Sequence, residues 1–92
     1  MTFDQLATFL AVVEHGGFLR AAQSLGIGQS TVSFHIRSLE SAVGAPVLDR
    51  RGGRVRATAA GRVLQRYATR MLGLRDEAMI DRKYFREDRK ED

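Results

Sequence analysis

The sequence predicts a mainly α-helical domain with one small β-hairpin and a long C-terminal helix. Three observations support this fold class. Apolar residues recur at helical spacing in three segments before residue 44, a Gly-Gly pair then separates two short extended segments, and a heptad-like apolar pattern follows Thr58. A chain of 92 residues is long enough for one domain with one core.

A capping pattern begins the first predicted helix, which runs from Thr2 to His15. Thr2 is followed three residues later by Gln5, a spacing at which the two side chains can cap the helix start reciprocally. The apolar residues of this helix are Phe3, Leu6, Phe9, Leu10 and Val13. Gly16 and Gly17 then end the helix.

The next two predicted helices form a helix-turn-helix over about residues 18–42. The first covers Phe18 to Leu25, and a turn with Gly26 and Gly28 leads into the second, Gln29 to Gly44. A short helix, a glycine-containing turn and a second amphipathic helix make up this motif. The apolar stripe of the second helix consists of Val32, Ile36, Leu39 and Val43. This stripe must face the core.

The opposite face of the segment Gln29 to Gly44 carries side chains suited to contact with DNA. Ser30, Phe34, Arg37 and Ser41 lie opposite the apolar stripe, with Thr31 and Ser33 on its flanks. Short hydroxyl side chains let a helix approach base edges, and Gln and Arg can make paired hydrogen bonds to adenine and guanine. We expect five residues to read or frame the bases: Gln29, Ser30, Thr31, Ser33 and Arg37. The alternative is an ordinary solvent-exposed face.

A basic hairpin is predicted over residues 47–57, after Pro46 ends the helical pattern. Val47 to Asp49 and Val55 to Ala57 are extended segments on either side of Gly52 and Gly53. The arginines expected to hold phosphates or to enter the minor groove are Arg20, Arg50, Arg51, Arg54 and Arg56. The alternative is a solvated turn. With the preceding helices, this hairpin predicts a winged helix-turn-helix over residues 1–58.

Thr58 is expected to cap a last helix over residues 59–80, which would link two subunits. Leu64, Tyr67, Met71, Leu74 and Ala78 repeat at spacings of three and four. Because a three-helix domain cannot cover the whole stripe, we expect its outer part to pair with a second copy in a homodimer. The alternative is that the stripe packs only on its own domain. Residues 81–92 mix both charges and are expected to form a frayed tail.

Charge and composition favour a DNA-binding protein over an enzyme. The net charge is +4, and residues 17–57 carry six arginines against two acidic residues, which suggests an anionic partner. There is no cysteine, and His15 and His35 are twenty residues apart with no catalytic spacing around them. We therefore expect no enzymatic activity, no cofactor and no metal site. The N-terminus lacks signal-peptide features, so a cytoplasmic location is expected.

Over residues 1 to about 80, the chain resembles the N-terminal DNA-binding region of the LysR-type bacterial transcriptional regulators. The residues that carry the resemblance are Leu6, Phe9, Phe18, Ala21, Ala22, Leu25, Gln29, Val32, Ser33, Ile36, Leu39, Glu40, Gly44, Leu48, Arg50, Thr58 and Gly61. The resemblance implies a winged helix-turn-helix and a linker helix through which two subunits pair. It also implies that Gln29, Ser30 and Ser33 lie at base edges, with Arg50 to Arg56 around the wing.

The sequence departs from this family pattern in three ways. Gly17 and Gly28 stand where the family usually has a capping serine, and Phe34 stands where it often has arginine. The ring of Phe34 could touch only a thymine methyl group or a sugar. Such regulators also continue into a two-lobed effector domain, so no small-molecule inducer site is expected within these 92 residues.

The expected function is sequence-specific binding of a near-palindromic operator in double-stranded DNA. The competing interpretation is a winged helix that docks another protein, or that modulates a full-length regulator by forming mixed dimers. A protein-docking face would show an exposed apolar patch. Apart from Phe34, the predicted third helix has none on its outer face.

Overall fold

The computed structural model describes the backbone of residues 1–91 and the side chains of residues 1–81. The elements in chain order are α1 Phe3–His15, α2 Phe18–Leu25, α3 Gln29–Val43, β1 Leu48–Asp49, β2 Arg56–Ala57 and α4 Ala59–Glu91. This order is that of a winged helix-turn-helix with a long C-terminal helix, so the predicted fold class is confirmed.

The start of α1 follows the capping pattern of its sequence. The Gln5 backbone N–H donates to the Thr2 hydroxyl at 3.1 Å, and the Thr2 backbone N–H donates to Gln5 Oε1 at 3.1 Å. Two of the backbone donors at the helix start are thereby satisfied. The helix ends at Gly16, whose φ of 71° lies in the left-handed region that favours glycine.

The core lies where α1 packs on the other three helices. Its side chains come from every helix and from the start of the wing. They are Leu6, Phe9, Ala11, Val12, Ala21, Ala22, Val32, Ile36, Leu39, Val47, Leu48, Leu64 and Ala68. The small side chains of Ala21 and Ala22 let α2 approach its neighbours closely. Val43, predicted as the last residue of the α3 stripe, is 41% exposed and lies outside this core.

The wing is a two-stranded antiparallel hairpin in which Leu48 pairs with Ala57 and Asp49 with Arg56. Its strands are each one residue shorter than the extended segments of the sequence, because Val47 and Val55 lie outside the ladder. Val47 is fully buried, so the base of the wing is anchored in the core. Gly52 and Gly53 have φ values of 79° and 84°, which explains the glycine pair at the hairpin tip.

The last helix, α4, is longer than the sequence pattern predicted. It runs from Ala59 to Glu91, which is about 50 Å at 1.5 Å per residue, and gives the molecule its longest dimension of 58 Å. The helix therefore continues past its expected end at residue 80, through residues 81–91 that were expected to form a frayed tail. Asp81 costs little in a helix, and no glycine or proline follows it. Asp92 lies outside the described residues.

No helix within residues 1–91 is both long enough and apolar enough to cross a lipid bilayer.

Candidate nucleic-acid interface

The face of α3 turned away from the core is open. Of the five residues predicted to read bases, Gln29, Ser30, Thr31 and Arg37 are exposed, whereas Ser33 is half-buried on the flank. Gln29 is the first residue of α3, directly after the N-cap Gly28. As the sequence indicated, Gly17 and Gly28 occupy the N-caps of α2 and α3 without any side-chain hydrogen bond. All four exposed side chains are free to contact a ligand: Ser30 and Arg37 lie on the open face, Gln29 at the helix start and Thr31 on the flank.

Two polar contacts fix α3 relative to the rest of the domain. The Thr8 hydroxyl of α1, which is 2% exposed, lies 2.7 Å from Nδ1 of His35 on the flank of α3. At the other end of α3, the Val47 backbone N–H donates to Glu40 Oε2 at 2.9 Å. The second bond ties the end of α3 to the base of the wing. These contacts, with the buried stripe, set the direction in which the exposed face points.

The tip of the wing rests on the turn between α1 and α2. The Val55 backbone N–H donates to the Gly16 carbonyl oxygen at 3.0 Å. The side chain of Arg54 lies over Gly16, so closely that a Cβ at Gly16 would be 2.7 Å from the guanidinium carbon. Arg20 and Arg54 line a shallow cleft of about 400 Å³ between the start of α2 and the wing tip. Two predicted phosphate-binding residues, 34 positions apart in sequence, thus border one cleft.

Arg50 and Arg51 have different environments although they are adjacent in sequence. The guanidinium carbon of Arg50 lies 4.1 Å from the centroid of the Phe18 ring at the start of α2, within cation–π distance. Arg51 instead folds back on Asp49, donating from Nε at 2.9 Å, from Nη2 at 2.8 Å and from its backbone N–H at 3.0 Å. Hydrogen bonds from the Arg51 side chain, then from its backbone, lower the pKa of Asp49 to about 2.

Most of the basic side chains near this surface carry uncompensated charge. Among the side chains of residues 1–81, the ion pairs are Arg51–Asp49 and Arg75–Asp76. Each of five other guanidinium groups has no carboxylate of residues 1–81 within 4.0 Å. These are the groups of Arg20, Arg37, Arg50, Arg54 and Arg56. Arg51 differs from them because its charge already has a carboxylate partner.

The predicted dimer stripe on α4 divides into a covered half and an open half. Leu64, predicted as a contact between subunits, is 8% exposed and belongs to the core of its own domain. Met71 is half-buried against that core. Tyr67 and Leu74 are 52% and 64% exposed, and Ala78 is also exposed. Met79 and Ile80 add exposed apolar surface that the stripe did not include.

Several residues that position this surface are not apparent from the sequence pattern. Phe18 was predicted as an apolar residue of α2, yet its ring also supports Arg50. The pairing of Asp49 with Arg51 has a local signal, since an acidic residue two positions before an arginine in a turn can reach it. The contacts of Gly16 with Arg54 and of Thr8 with His35 have no such signal. No group of three or more potential metal ligands occurs among the described residues.

Comparison with known proteins identifies the family of this chain. The model for bacterial regulatory helix-turn-helix proteins of the lysR family matches residues 3–62. A probable RuBisCO transcriptional regulator from Cyanidioschyzon merolae is 46% identical over 76 residues, which are 83% of this chain and 25% of that protein. The uncharacterized HTH-type transcriptional regulator YwqM from Bacillus subtilis is 37% identical over 87 residues, covering 95% of this chain and 30% of that protein. The chain thus spans less than a third of the length of these relatives.

Solved structures agree with this assignment. The crystal structure of a BenM_DBD/catB site 1 DNA complex has a TM-score of 0.86 and 33% identity, over 91% of this chain and 93% of that chain. Full-length CbnR complexed with its target DNA has a TM-score of 0.84 and 31% identity, over 90% of this chain and 29% of that chain. The chain therefore belongs to the lysR family of bacterial regulatory helix-turn-helix proteins.

Proposed function

We propose that this chain is the DNA-binding module of a LysR-type transcriptional regulator and that it binds double-stranded DNA sequence-specifically. One observation carries the proposal. The exposed face of α3 bears short polar side chains, the Phe34 ring and one arginine, while Arg50 and Arg54 of the wing lie against the start of α2 and the turn before it. The DNA complexes among the similar structures support it. In this arrangement α3 occupies the major groove and the wing follows the phosphate backbone.

The two parts of the surface have different roles in the proposed complex. Gln29, Ser30, Thr31, Ser33 and Arg37 contact or frame the base edges and supply sequence preference. Arg20, Arg50, Arg54 and Arg56 contact phosphates or the minor groove and supply most of the affinity. Arg51 contributes less than its neighbours, because binding a phosphate would require it to leave or share Asp49.

The proposed complex contains two copies of the chain on one near-palindromic operator. Pairing through the exposed part of α4 would place two α3 helices in successive major grooves, roughly 34 Å apart. The exposure of Tyr67, Leu74 and Ala78 supports this contact, because apolar side chains of a monomer would otherwise face water. No observation favours the protein-docking alternative: the large exposed apolar residues of α3 are Phe34 and Val43, which are nine positions apart.

The direct test is a fluorescence-anisotropy titration against a duplex selected from random DNA and against a scrambled duplex. With six to ten phosphate contacts, the affinity should fall by about 10³ to 10⁵ between about 50 and 200 mM salt. The selected duplex should remain preferred at the higher salt concentration. Equal binding to both duplexes would contradict sequence-specific recognition, and binding to neither would favour protein docking.

A pair of variants separates base reading from phosphate binding. Gln29→Ala should cost about 1 to 3 kcal/mol, mainly at one base position, because the amide contact to a base edge is lost. Arg54→Ala should weaken binding to the selected and scrambled duplexes alike. If both variants lost affinity equally on every sequence, α3 would have no direct role in reading bases.

The dimer is tested by sedimentation equilibrium with two charge substitutions on α4. Leu74→Glu places a charge in the exposed apolar stripe and should shift the chain towards monomer. Thr69→Glu is the matched control, since Thr69 is also exposed but lies about 140° away around the helix. An equal effect of the two substitutions would exclude this stripe as the specific contact.

A further inference from the structure

Phe34 points directly away from the core of the domain. At about 100° per residue it lies about 200° around the helix from both Val32 and Ile36, each of which is 0% exposed. Its own side chain is 56% exposed. Any surface that docks against the open face of α3 must therefore meet this ring.

The ring is isolated from other exposed apolar side chains on α3. One turn away on the same face stand Ser30 and Arg37, and the His35 ring is tilted by 52° with its centroid 6.3 Å away. Val43, the other large exposed apolar residue of α3, is about 13 Å further along the axis at 1.5 Å per residue. A single ring between polar residues is too small for a protein-docking patch but can contact one small apolar group.

The major groove displays one such group. Each base edge there presents hydrogen-bond donors or acceptors, which a phenyl ring cannot satisfy, while thymine adds its C5-methyl group. We propose, on the basis of the proposed function, that Phe34 is a specificity-determining residue that selects a thymine by contact with this methyl group. The preference would be set by van der Waals contact and exclusion of water instead of hydrogen bonding.

The test removes the methyl group without changing base pairing or phosphate charge. Each thymine of the selected duplex is replaced in turn by deoxyuridine, and the affinity is measured by fluorescence anisotropy. For the unmodified chain, one thymine in each half-site should be sensitive, with about fourfold weaker binding, the factor expected for one methyl-sized apolar group. In Phe34→Ala the same replacement should leave the affinity unchanged.

Two further variants isolate the role of the ring. Arg37→Ala should bind more weakly but keep the full sensitivity to deoxyuridine, because the ring is intact. Phe34→Leu should keep part of the sensitivity, because an apolar side chain remains. Since Phe34 is exposed, both of its variants should fold, which circular dichroism verifies.

Three outcomes would overturn the inference. Indifference of the unmodified chain to every thymine replacement would show that no methyl group is sensed. Equal sensitivity of Phe34→Ala and the unmodified chain would assign the methyl contact to another side chain. If no duplex were preferred over scrambled DNA, the proposed function itself would fail, and that result is distinguishable because selection would yield no common sequence.

Discussion

Helix α3 and the wing, residues 47–57, are held in place by different kinds of interaction. Three apolar side chains of α3 are 0% exposed, so the helix is fixed mainly by burial. The wing is fully buried only at its base, through Val47 and Leu48, while Val55 packs half-buried against the core. Its tip depends on one backbone hydrogen bond to Gly16 and on two arginines that contact the turn between α1 and α2.

This difference matches the two tasks proposed for the surface. Reading base edges requires side chains held in a defined register, and a buried apolar stripe supplies that rigidity. Phosphate contacts depend on charge over a longer range and tolerate a less rigid support. We therefore expect substitutions of the buried residues of α3 to destabilise the whole domain. Substitutions at the wing tip should instead change DNA affinity more than stability.

The largest effect is expected from Leu39→Ala. Leu39 is fully buried on the inner face of α3. Its truncation should therefore lower the unfolding free energy by about 2 to 5 kcal/mol, through lost burial and a residual cavity. Thermal unfolding followed by circular dichroism measures the loss. For a domain of this size, the unfolding midpoint should fall by about 4 to 8 °C for each kcal/mol lost. The control is Val43→Ala on the same helix, which is 41% exposed and should cost much less. Similar losses would refute the view that burial holds α3.

A smaller effect is expected from Gly61→Ala, where α4 passes the base of the wing. A Cβ at Gly61 would collide with the carbonyl oxygen of Val47, a backbone atom that cannot rotate away. The substitution should cost about 1 to 3 kcal/mol, because α4 and the base of the wing must separate. Gly73→Ala in the same helix is the control: nothing lies within 4 Å of its Cβ position. It should stabilise the chain by up to about 1 kcal/mol. If calorimetry showed that both substitutions change the unfolding free energy in the same direction, the close approach of Val47 would not restrict the side chain at residue 61.

The wing arginines should differ in their effect on the salt dependence of DNA binding. Arg54→Ala should reduce the slope of log affinity against log salt by about 0.9, the value for one phosphate contact. Arg51→Ala should reduce it by less, because Asp49 already compensates that charge. Anisotropy titrations at four salt concentrations measure both slopes. Equal reductions would show that Arg51 leaves Asp49 when DNA binds.

The smallest effect is expected from acid titration of the Asp49–Arg51 pair. Hydrogen bonds from Arg51 hold the pKa of Asp49 at about 2 in the folded chain, below its usual value of 3.8. A carboxyl group with a lowered folded-state pKa contributes stability above its unfolded pKa and loses it as the pH falls through the folded value. The contribution of the pair to stability should therefore be constant between pH 5 and 8. Carbon-13 NMR titration of the Asp49 carboxyl group should give a midpoint near 2, which returns towards 3.8 in Arg51→Ala. If Arg51→Ala left the midpoint unchanged, the Arg51 side chain would not be the cause of the lowered pKa of Asp49.

Local patterns were sufficient for most element boundaries. The capping box at Thr2, the glycines at 16, 26 and 44, and the Gly-Gly pair of the hairpin act on neighbouring backbone, so their effects are visible in sequence. The end of α4 was missed because the apolar repeat stops at Ala78, although helix formers continue to Glu91. A helix needs favourable propensity but not a continuous apolar stripe.

The sequence by itself determined the helix-turn-helix, the basic hairpin and the residue types on the outer face of α3, because each depends on periodicity, turn chemistry or composition. Only the tertiary structure decided which groups meet across long separations in the chain. It brings Arg50 onto Phe18, Arg54 onto Gly16 and His35 to Thr8. It also buries Leu64 in the core of its own domain. The physical reason is that such contacts follow from how whole helices pack, which no local spacing specifies.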